Sequence, residues 1–192
     1  MGKDWYSMLA SYFPDEEMKK RAQFEDLLAE HDAYFKKETD EYVVIYAEFR
    51  DFIFIDYLLV KPNIRSKGVG SKVLQAFKKK QKMILLEVEP ENAEDADTLK
   101  RIRFYEKNGF QKAENIEYVR ETADGKPLYM DIYYWSPESL DEREILNAMT
   151  RIYKEIHNFK SHKYQRRPQL DPSDVLIWKE ENGSEIQKNQ LS

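Results

Sequence analysis

The 192-residue sequence contains no cysteine. This absence excludes disulfide bonds, metal sites with thiolate ligands and any enzyme mechanism that uses a thiol nucleophile. It is also typical of a cytoplasmic protein, and we expect that location. The three histidines, His31, His157 and His162, lie outside the motifs described below. We expect them to be surface or packing residues, and we predict no metal site.

The sequence also lacks long apolar runs and an excess of positive charge. No run approaches the roughly 20 apolar residues of a membrane-spanning helix, and the N-terminus lacks the pattern of a secretion signal. The formal net charge of -5 gives no reason to expect nucleic acid or an anionic membrane as a partner. The basic stretch HKYQRRP is interpreted as a solvated segment, so we predict neither of these partners.

The sequence contains enough hydrophobic residues for one folded domain. Hydrophobic residues make up 41% of the chain and aromatic residues 14%, which is typical of a protein with a sizeable core. We predict a single domain over residues 1–160, with a helical N-terminal part (1–40), a core (41–135) and a C-terminal helix (136–160). Residues 161–192 are predicted to form a polar, partly disordered tail.

Segments rich in β-branched and aromatic residues predict a mixed sheet. EYVVIYAEF and FIFIDYLLV predict a hairpin across Arg50–Asp51, after a candidate first strand in AYFKKE. MILLEVEP is continuously apolar, as in a strand that is buried beside a parallel neighbour. A second hairpin is predicted across TADGKP, where Asp-Gly supplies the turn.

Helical periodicity completes the predicted fold. Helices are predicted from Glu16 to His31 with Asp15 as cap, from about Ser71 to Lys82, before Gly109, and from Ser136 to about Phe159. The apolar stripe of the last helix is too long to leave in water, so we expect it to pack on the core or on a second subunit. The elements predict an α/β fold (mixed α+β): a central mixed, mostly antiparallel sheet with flanking helices and a C-terminal helical extension.

The stretch VKPNIRSKGVGSKVL, residues 60–74, connects a predicted strand to a predicted helix. Gly68 and Gly70 remove side chains where the backbone bends, so several N–H groups can converge on one point. The helix that begins near Ser71 adds free N–H groups and the positive end of its dipole. Arg65 and Lys67 add positive charge. The turn is therefore predicted to bind a phosphate or a pyrophosphate.

The residues of this turn alone leave several interpretations open. It can be a solvated surface turn. It can be a dinucleotide site, because Gly68 and Gly70 begin that pattern and Glu87 or Glu89 follows at a suitable distance, although Val73 occupies the third glycine position. A P-loop does not fit, because no Gly-Lys-Ser/Thr sequence follows.

A family resemblance supplies a third interpretation. Val60, Pro62, Arg65, Gly68 and Gly70 form the pattern V-x-P-x-x-R-x-x-G-x-G, and FYEKNGF at residues 104–110 ends the following helix. With these two motifs in order, the chain resembles a bacterial-type member of the GNAT superfamily of N-acetyltransferases over about residues 42–135. The resemblance implies the GNAT fold, acetyl-CoA as co-substrate, and a turn that binds its pyrophosphate.

The resemblance also implies which residues hold acetyl-CoA. They are Leu58, Leu59, Val60, Arg65, Ser66, Lys67, Gly68, Val69, Gly70, Ser71 and Thr98. Thr98 and Arg101 stand where the family often has Asn and Ala, so the contacts to the pantetheine arm are expected to differ from the usual ones.

Catalysis without a thiol implies direct attack of a bound amine on the thioester. Tyr105 matches the family's helix tyrosine and is predicted to protonate the leaving thiolate. Asp56 is predicted to be the general base, ahead of Glu87, because strand alternation places it on one face with Leu58 and Val60. Strand N–H groups near these residues are expected to polarise the carbonyl.

The predicted function is therefore transfer of an acetyl group from acetyl-CoA to a primary amine of a small molecule or peptide, within a ternary complex. The alternative is a non-catalytic GNAT-like protein that binds CoA and acts as a regulator or adaptor. A homodimer is possible through the C-terminal helix. The acidic loop ENAEDAD weakly favours a cationic acceptor.

Overall fold

The computed structural model describes residues 4–64, 67–92, 96–122, 125–164 and 169–179. The N-terminal elements are α1 (Trp5–Ala10), α2 (Arg21–Glu30), β1 (Tyr34–Glu38), β2 (Tyr42–Glu48) and β3 (Phe52–Val60). After a 3-10 turn at Pro62–Ile64 come α3 (Val69–Lys78), β4 (Met83–Val88) and α4 (Ala96–Lys107). The C-terminal elements are β5 (Gln111–Lys112), β6 (Ile116–Glu121), β7 (Pro127–Trp135), α5 (Glu142–Ile152), the short helices α6 (Ser161–Tyr164) and α7 (Pro172–Val175), and β8 (Leu176–Trp178).

The strands form one mixed sheet in the order β1-β2-β3-β4-β7-β6-β8, with β5 paired to β7. β3 and β4 run parallel, and the other described pairs are antiparallel. Apolar side chains fill both faces: α1, α2 and α5 cover one face of the sheet, and α3 and α4 cover the other. The predicted α/β fold, with a mostly antiparallel sheet flanked by helices, is confirmed.

The central strands β3 and β4 separate part of the way along the sheet. They pair only from Phe52 to Ile55 on β3 and from Met83 to Leu86 on β4. Beyond this stretch β3 stays beside β2, and β4 stays beside β7. The divergence leaves a V-shaped gap in the middle of the sheet, which we call the cleft.

β3 contains a β-bulge at Asp56, at the point where the cleft opens. Ile55 pairs with Tyr46 and Tyr57 pairs with Ile45, so Asp56 is an extra residue in the register between β2 and β3. An extra residue shifts the alternation of all side chains that follow it on the strand. The bulge therefore changes which face of the sheet each later residue occupies.

The bulge places Asp56 on the opposite face from Leu58 and Val60. Leu58 and Val60 pack with the apolar residues beneath α3 and α4. The carboxylate of Asp56 instead contacts Lys19 Nζ and the hydroxyl of Tyr34, on the face covered by the N-terminal helices. The expectation that Asp56 shares a face with Leu58 and Val60 is wrong, because the sequence pattern alone does not show an inserted residue.

The segment before α2 is irregular rather than helical. α2 begins at Arg21 and not at Glu16, and Lys20 rather than Asp15 occupies its N-cap position. Residues 11–20, the N-terminal loop, cross the mouth of the cleft. Two phenol hydroxyls anchor the loop: that of Tyr57 donates to the carbonyl of Glu17 at 2.6 Å, and that of Tyr6 donates to the carbonyl of Lys19 at 3.3 Å.

The C-terminal helix α5 begins at Glu142 and not at Ser136. Asp141 caps it, because its carboxylate accepts the N–H of Arg143 at 2.9 Å while Glu144 accepts the N–H of Asp141 at 3.2 Å. This capping box satisfies two helix-end donors, which the Ser136 signal does not. The apolar face of α5 is buried against the sheet through Ile145, Ala148, Met149 and Ile152.

Two C-terminal features add to the core. A π-helical turn, Tyr153–His157, follows α5 and turns the buried His157 toward the sheet. β8 pairs antiparallel with β6 at the sheet edge, and Val175 and Leu176 are buried there. The sequence analysis assigned these residues to the polar tail. Within the described ranges, no helix combines the length and apolar character that crossing a membrane requires.

Candidate active site

A small polar cavity lies in the cleft between β3 and β4. Its volume is about 40 Å³. The side chains and backbone around it come from the N-terminal loop, β3, β4, α4, β6 and β7: Phe13, Glu17, Ile55, Asp56, Tyr57, Leu58, Glu87, Val88, Arg101, Tyr105, Arg120 and Met130. Several charged groups therefore meet at a site that has room for only a few water molecules.

A larger groove adjoins this cavity and extends toward the start of α3. Its volume of about 560 Å³ is typical of a small-molecule site. It is lined by Tyr12, Phe13, Leu58, Leu59, Val60, Gly68, Val69, Gly70, Ser71, Asp97, Lys100, Arg101, Phe104, Tyr105 and Lys107. Four of these residues also line the cavity: Phe13, Leu58, Arg101 and Tyr105. A long molecule in the groove would therefore present its inner end to a second molecule in the cavity.

The far end of the groove is the N-terminus of α3. The first hydrogen bond at this helix end runs from Lys72 N–H to the carbonyl of Gly68 at 3.1 Å. The N–H groups of Val69, Gly70 and Ser71 precede that bond and point out of the helix end. Three amides without a partner inside the helix, at the positive end of its dipole, suit a phosphate group.

The two glycines of this turn serve different purposes. Gly68 has φ +74°, a left-handed conformation that other residues adopt only with strain, and a Cβ atom there would meet nothing within 4 Å. A Cβ atom on Gly70 would lie 2.9 Å from Cζ of Phe104. Gly68 is therefore required by the backbone, and Gly70 by the close approach of α3 to α4.

Most of the residues predicted to hold acetyl-CoA line the groove. They are Leu58, Leu59, Val60, Gly68, Val69, Gly70 and Ser71. Lys67 is exposed and does not line it. Thr98 is buried, and its hydroxyl accepts the N–H of Asn92 at 3.2 Å, so it orders the chain before α4. Arg65 and Ser66 lie outside the described residues.

Tyr105 stands at the junction of the groove and the cavity. α4 presents it beside Phe104 and Phe110, with which its ring makes edge contacts. Burial raises the pKa of Tyr105 well above its usual value. The phenol is therefore protonated at physiological pH and can donate a proton to an anion that forms in front of it.

Asp56 is engaged in a buried ion pair. Lys19 Nζ lies 2.8 Å and 2.6 Å from its two carboxylate oxygens, and the Tyr34 hydroxyl donates to the second oxygen. The side chains of Lys19 and Asp56 are only 4% and 3% exposed. Although Asp56 lines the cavity, its oxygens are occupied by these partners, which suits a structural role better than the predicted role of a base.

Glu87 is also fully engaged. Its carboxylate accepts from Tyr118 at 2.8 Å and from Arg120 at 2.9 Å, and His157 Nε2 lies 2.7 Å away. Burial opposes its ionisation, but the interactions with His157 and Arg120 outweigh burial and hold the pKa of Glu87 well below its usual range. A carboxylate this stable is a weak base. His157 is a packing residue, as expected, and it also positions Glu87.

Glu17 is the carboxyl group that the sequence analysis missed. Its Oε1 is buried and has no hydrogen-bond partner within the described part of the chain. Burial raises the pKa of Glu17 to about 8, and a hydrogen bond with the nearby carboxylate of Glu89 acts in the same direction. Glu89 in turn pairs with Arg101. Glu17 thus exchanges its proton near neutral pH, as a general base must.

Nothing in the local sequence distinguishes Glu17 from its neighbours. PDEEMKK contains three acidic residues in a row, and helical periodicity assigned all of them to a solvated helix start. Only the irregular N-terminal loop turns Glu17 toward the cleft. Arg120 was missed in the same way, since it lies on a strand rich in charged residues. In the described ranges, no group of three or more His, Asp or Glu side chains could hold a metal ion.

The chain is similar to several known proteins. Residues 27–112, which include β3, the turn and Tyr105, match the family model of the acetyltransferase (GNAT) domain. The chain is similar to YjbC of Bacillus subtilis (strain 168), a candidate acetyltransferase. The two are 44% identical over 175 residues, which cover 90% of this chain and 91% of YjbC.

Solved structures show the same fold. A candidate GNAT-family acetyltransferase from Bacteroides thetaiotaomicron superposes with a TM-score of 0.66 at 20% identity, over 79% of this chain and 88% of that one. Arabidopsis thaliana NAA60, solved in complex with a bisubstrate analogue, superposes with a TM-score of 0.50 at 12% identity, over 68% of this chain and 88% of that one. At these identities the likeness concerns the fold alone.

Proposed function

The chain belongs to the GNAT family of acetyltransferases, and from this premise we propose that it transfers the acetyl group of acetyl-CoA directly to a primary amine while both are bound. The observation that carries the proposal is the junction of the groove and the cavity at Tyr105, with Glu17 on the cavity side. The groove suits a long donor, and the cavity suits only the reacting end of an acceptor. The cytoplasm is the location that we propose for this reaction.

Two features of the groove support acetyl-CoA as the donor. The amides at the start of α3 suit a pyrophosphate, and the absence of a side chain at Gly70 lets α3 pack close to α4 beside them. The exposed edge of β3 along the cleft offers backbone partners to an extended pantetheine arm. The N–H of Lys61 donates to Glu41 on the β2 side at 2.9 Å. By strand alternation the N–H of Leu58 points the other way, into the cleft.

Glu17 acts first in the proposed mechanism. In its ionised form it takes a proton from the ammonium group of the acceptor, either directly or through one water molecule. The free amine then attacks the thioester carbon. Because the pKa of Glu17 is about 8, a large fraction of the enzyme is in the ionised form in mildly alkaline solution. A general base of this kind typically contributes about 10²–10⁴-fold to the rate.

Leu58 and Tyr105 act on the second half of the reaction. The N–H of Leu58 donates to the carbonyl oxygen as negative charge develops there. A C–N bond forms and the C–S bond breaks, and Tyr105 donates its proton to the departing sulfur. Tyr105 recovers a proton from the new amide nitrogen, and Glu17 later releases its own proton to solvent. The products are an acetylated amine, CoA with a free thiol and one proton.

Thiol release tests this proposal. The chain has no cysteine, so a thiol reagent added to the reaction reports only CoA. Acetyl-CoA with a panel of primary amines should release thiol above the amine-free rate, and mass spectrometry should find the acetylated amine. Acetyl-CoA should also raise the melting temperature much more than ATP or NAD does. Stabilisation by acetyl-CoA without transfer to any amine would instead support the non-catalytic regulator or adaptor.

A further inference from the structure

The cavity offers hydrogen-bond donors as well as a base. Nε of Arg101 is buried and has no partner among the described residues, although the other end of the guanidinium pairs with Glu89. Arg120, which also lines the cavity, uses one nitrogen to bind Glu87 at 2.9 Å. The Nε–H of Arg101 is thus left for a bound molecule, and Arg120 brings a second guanidinium group to the same cavity.

A bare alkylamine does not match these donors. Its nitrogen can satisfy Oε1 of Glu17, but its carbon chain has no oxygen that accepts from Arg101 or Arg120. Buried donors that a ligand leaves unpaired weaken its binding, and sites built to pair them discriminate strongly against molecules that lack the acceptor. The acceptor of the acetyl group should therefore carry an oxygen close to its amine.

The cavity volume limits how far that oxygen can lie from the amine. About 40 Å³ gives room for only a few water-sized groups, which suits an amine, one carbon and a carbonyl better than a ring or a branched chain. An amine on the carbon that is bonded to a carbonyl carbon is the group at the N-terminus of a peptide. A lysine side chain, with its amine at the end of four methylene groups, places no acceptor within this space.

The charges around the cavity favour a neutral carbonyl over a carboxylate. Three cations face three carboxylates there: Lys19, Arg101 and Arg120 against Asp56, Glu87 and Glu89. Ionised Glu17 adds one negative charge, which one ammonium group balances. A carboxylate on the same acceptor would leave the buried site with an excess negative charge.

We propose that the acceptor is an α-aminoacyl group with a neutral carbonyl, as at the N-terminus of a peptide or in an amino-acid amide. Glu17 binds the amine, and Arg101 and Arg120 donate to the carbonyl oxygen. This inference rests on the proposed acetyl transfer and narrows its substrate class. Unbranched small first residues fit the cavity best.

Two amines of similar basicity test the inference. Glycinamide and propargylamine each have an aminomethyl group, but only glycinamide has the carbonyl. We expect kcat/KM for glycinamide to exceed that for propargylamine by at least about tenfold in the thiol-release assay. Arg101→Lys keeps a positive charge opposite Glu89 but loses the Nε–H, so it should reduce this ratio several-fold. Arg103→Lys, the same exchange at an exposed position of α4, should leave the ratio unchanged.

The remaining outcomes distinguish a failure of this inference from a failure of the proposed acetyl transfer. A ratio near one in the native protein, with thiol released from both amines, overturns the inference and leaves acetyl transfer standing. No transfer to any amine, although acetyl-CoA binds, overturns the proposed function itself. Free glycine should react more slowly than glycinamide. A faster reaction of glycine would overturn the neutral carbonyl in favour of a carboxylate.

Discussion

At the scale of single residues, three carboxyl groups around one cavity differ only in their surroundings. Asp56 is neutralised by Lys19, and Glu87 is held by three donors. Glu17 has a buried oxygen without a described partner and a neighbouring carboxylate in Glu89. Desolvation and like charge favour the protonated form and raise the pKa of Glu17 to about 8, whereas His157 and Arg120 hold the pKa of Glu87 well below its usual range.

The first residue-scale prediction concerns Glu17→Gln. We expect this change to lower turnover by about 10²–10⁴-fold, because Gln cannot accept the proton of the amine. In the native protein, kcat/KM should fall as the pH drops through about 8, the pKa of Glu17, since the protonated carboxyl group is no base. Steady-state rates between pH 6 and 10 measure both effects. The pH profile of the variant should lose this fall in kcat/KM. Its remaining pH dependence should follow the ionisation of the amine substrate.

Stability provides a control on the same titration. The pKa of Glu17 is raised from its ordinary value of 4.5 to about 8 by folding, so the folded state favours the protonated form. Its contribution to stability is present below pH 4.5 and is lost as the pH rises toward 8, by up to about 1.4 kcal/mol per pH unit. Glu17→Gln should therefore become more stable relative to the native protein over this range. A constant difference in urea denaturation would contradict the raised pKa.

The second residue-scale prediction concerns Asp56→Asn. The change leaves Lys19 as a buried cation without its counter-ion, which typically costs about 3–5 kcal/mol. Urea denaturation should show this loss. The double change Lys19→Met with Asp56→Leu removes both charges and should cost less. If Asp56→Asn stays fully stable and loses turnover, Asp56 is the base that the sequence pattern favoured.

At the scale of elements, sequence periodicity predicts which strands and helices exist but not where they bend or begin. The apolar pattern of FIFIDYLLV predicts β3 correctly. The bulge at Asp56 is set by pairing with β2, which lies outside the segment. Likewise, two capping signals compete before α5, and the capping box at Asp141 prevails over Ser136 because it satisfies more helix-end donors. A local sequence pattern does not show how a strand pairs with its neighbour or which of two capping signals prevails.

The element-scale prediction concerns the contact between α3 and α4. In Gly70→Ala the new methyl group would lie 2.9 Å from Cζ of Phe104, so α3 must shift and its N-terminal amides move. We expect a loss of about 1–3 kcal/mol in stability and weaker acetyl-CoA binding by calorimetry. Adding Phe104→Leu should restore part of both. Gly68→Ala meets no atom within 4 Å and should cost only the strain of its positive φ, about 1–2 kcal/mol.

At the scale of the whole molecule, the two motifs predicted the fold, and most of the residues that they assign to acetyl-CoA line the groove. Both belong to one continuous stretch, in which a phosphate-binding turn needs particular residues in a particular order. The acceptor half depends on Glu17 from the N-terminal loop, Arg101 from α4 and Arg120 from β6. These residues are distant in the sequence and come together only through the sheet, so no local pattern marks them.

The whole-molecule prediction concerns the C-terminal strand. A chain that ends at Gln169 loses α7 and β8, and with them the buried side chains of Val175 and Leu176. Each such side chain contributes roughly 1.5–3 kcal/mol. It also uncovers β6, which carries Tyr118 and Arg120, the partners of Glu87. We therefore expect a lower melting temperature and lower turnover. A matched chain that ends at Lys179 keeps these contacts, and equal behaviour of the two chains would contradict the prediction.

Because β3 diverges from β4, hydrogen exchange at the exposed edge of β3 can report the binding of acetyl-CoA. Inside a complete sheet, a backbone amide is shielded by a neighbouring strand. The amide of Leu58 faces the cleft, where β4 has already turned away. In heavy water its hydrogen should be replaced by deuterium quickly, while those of Ile53 and Ile55 are replaced slowly. Bound acetyl-CoA should slow the replacement at Leu58 by taking the place of the missing strand. Deuterium uptake at this one amide would therefore measure the occupancy of the groove without a chemical probe attached to the protein.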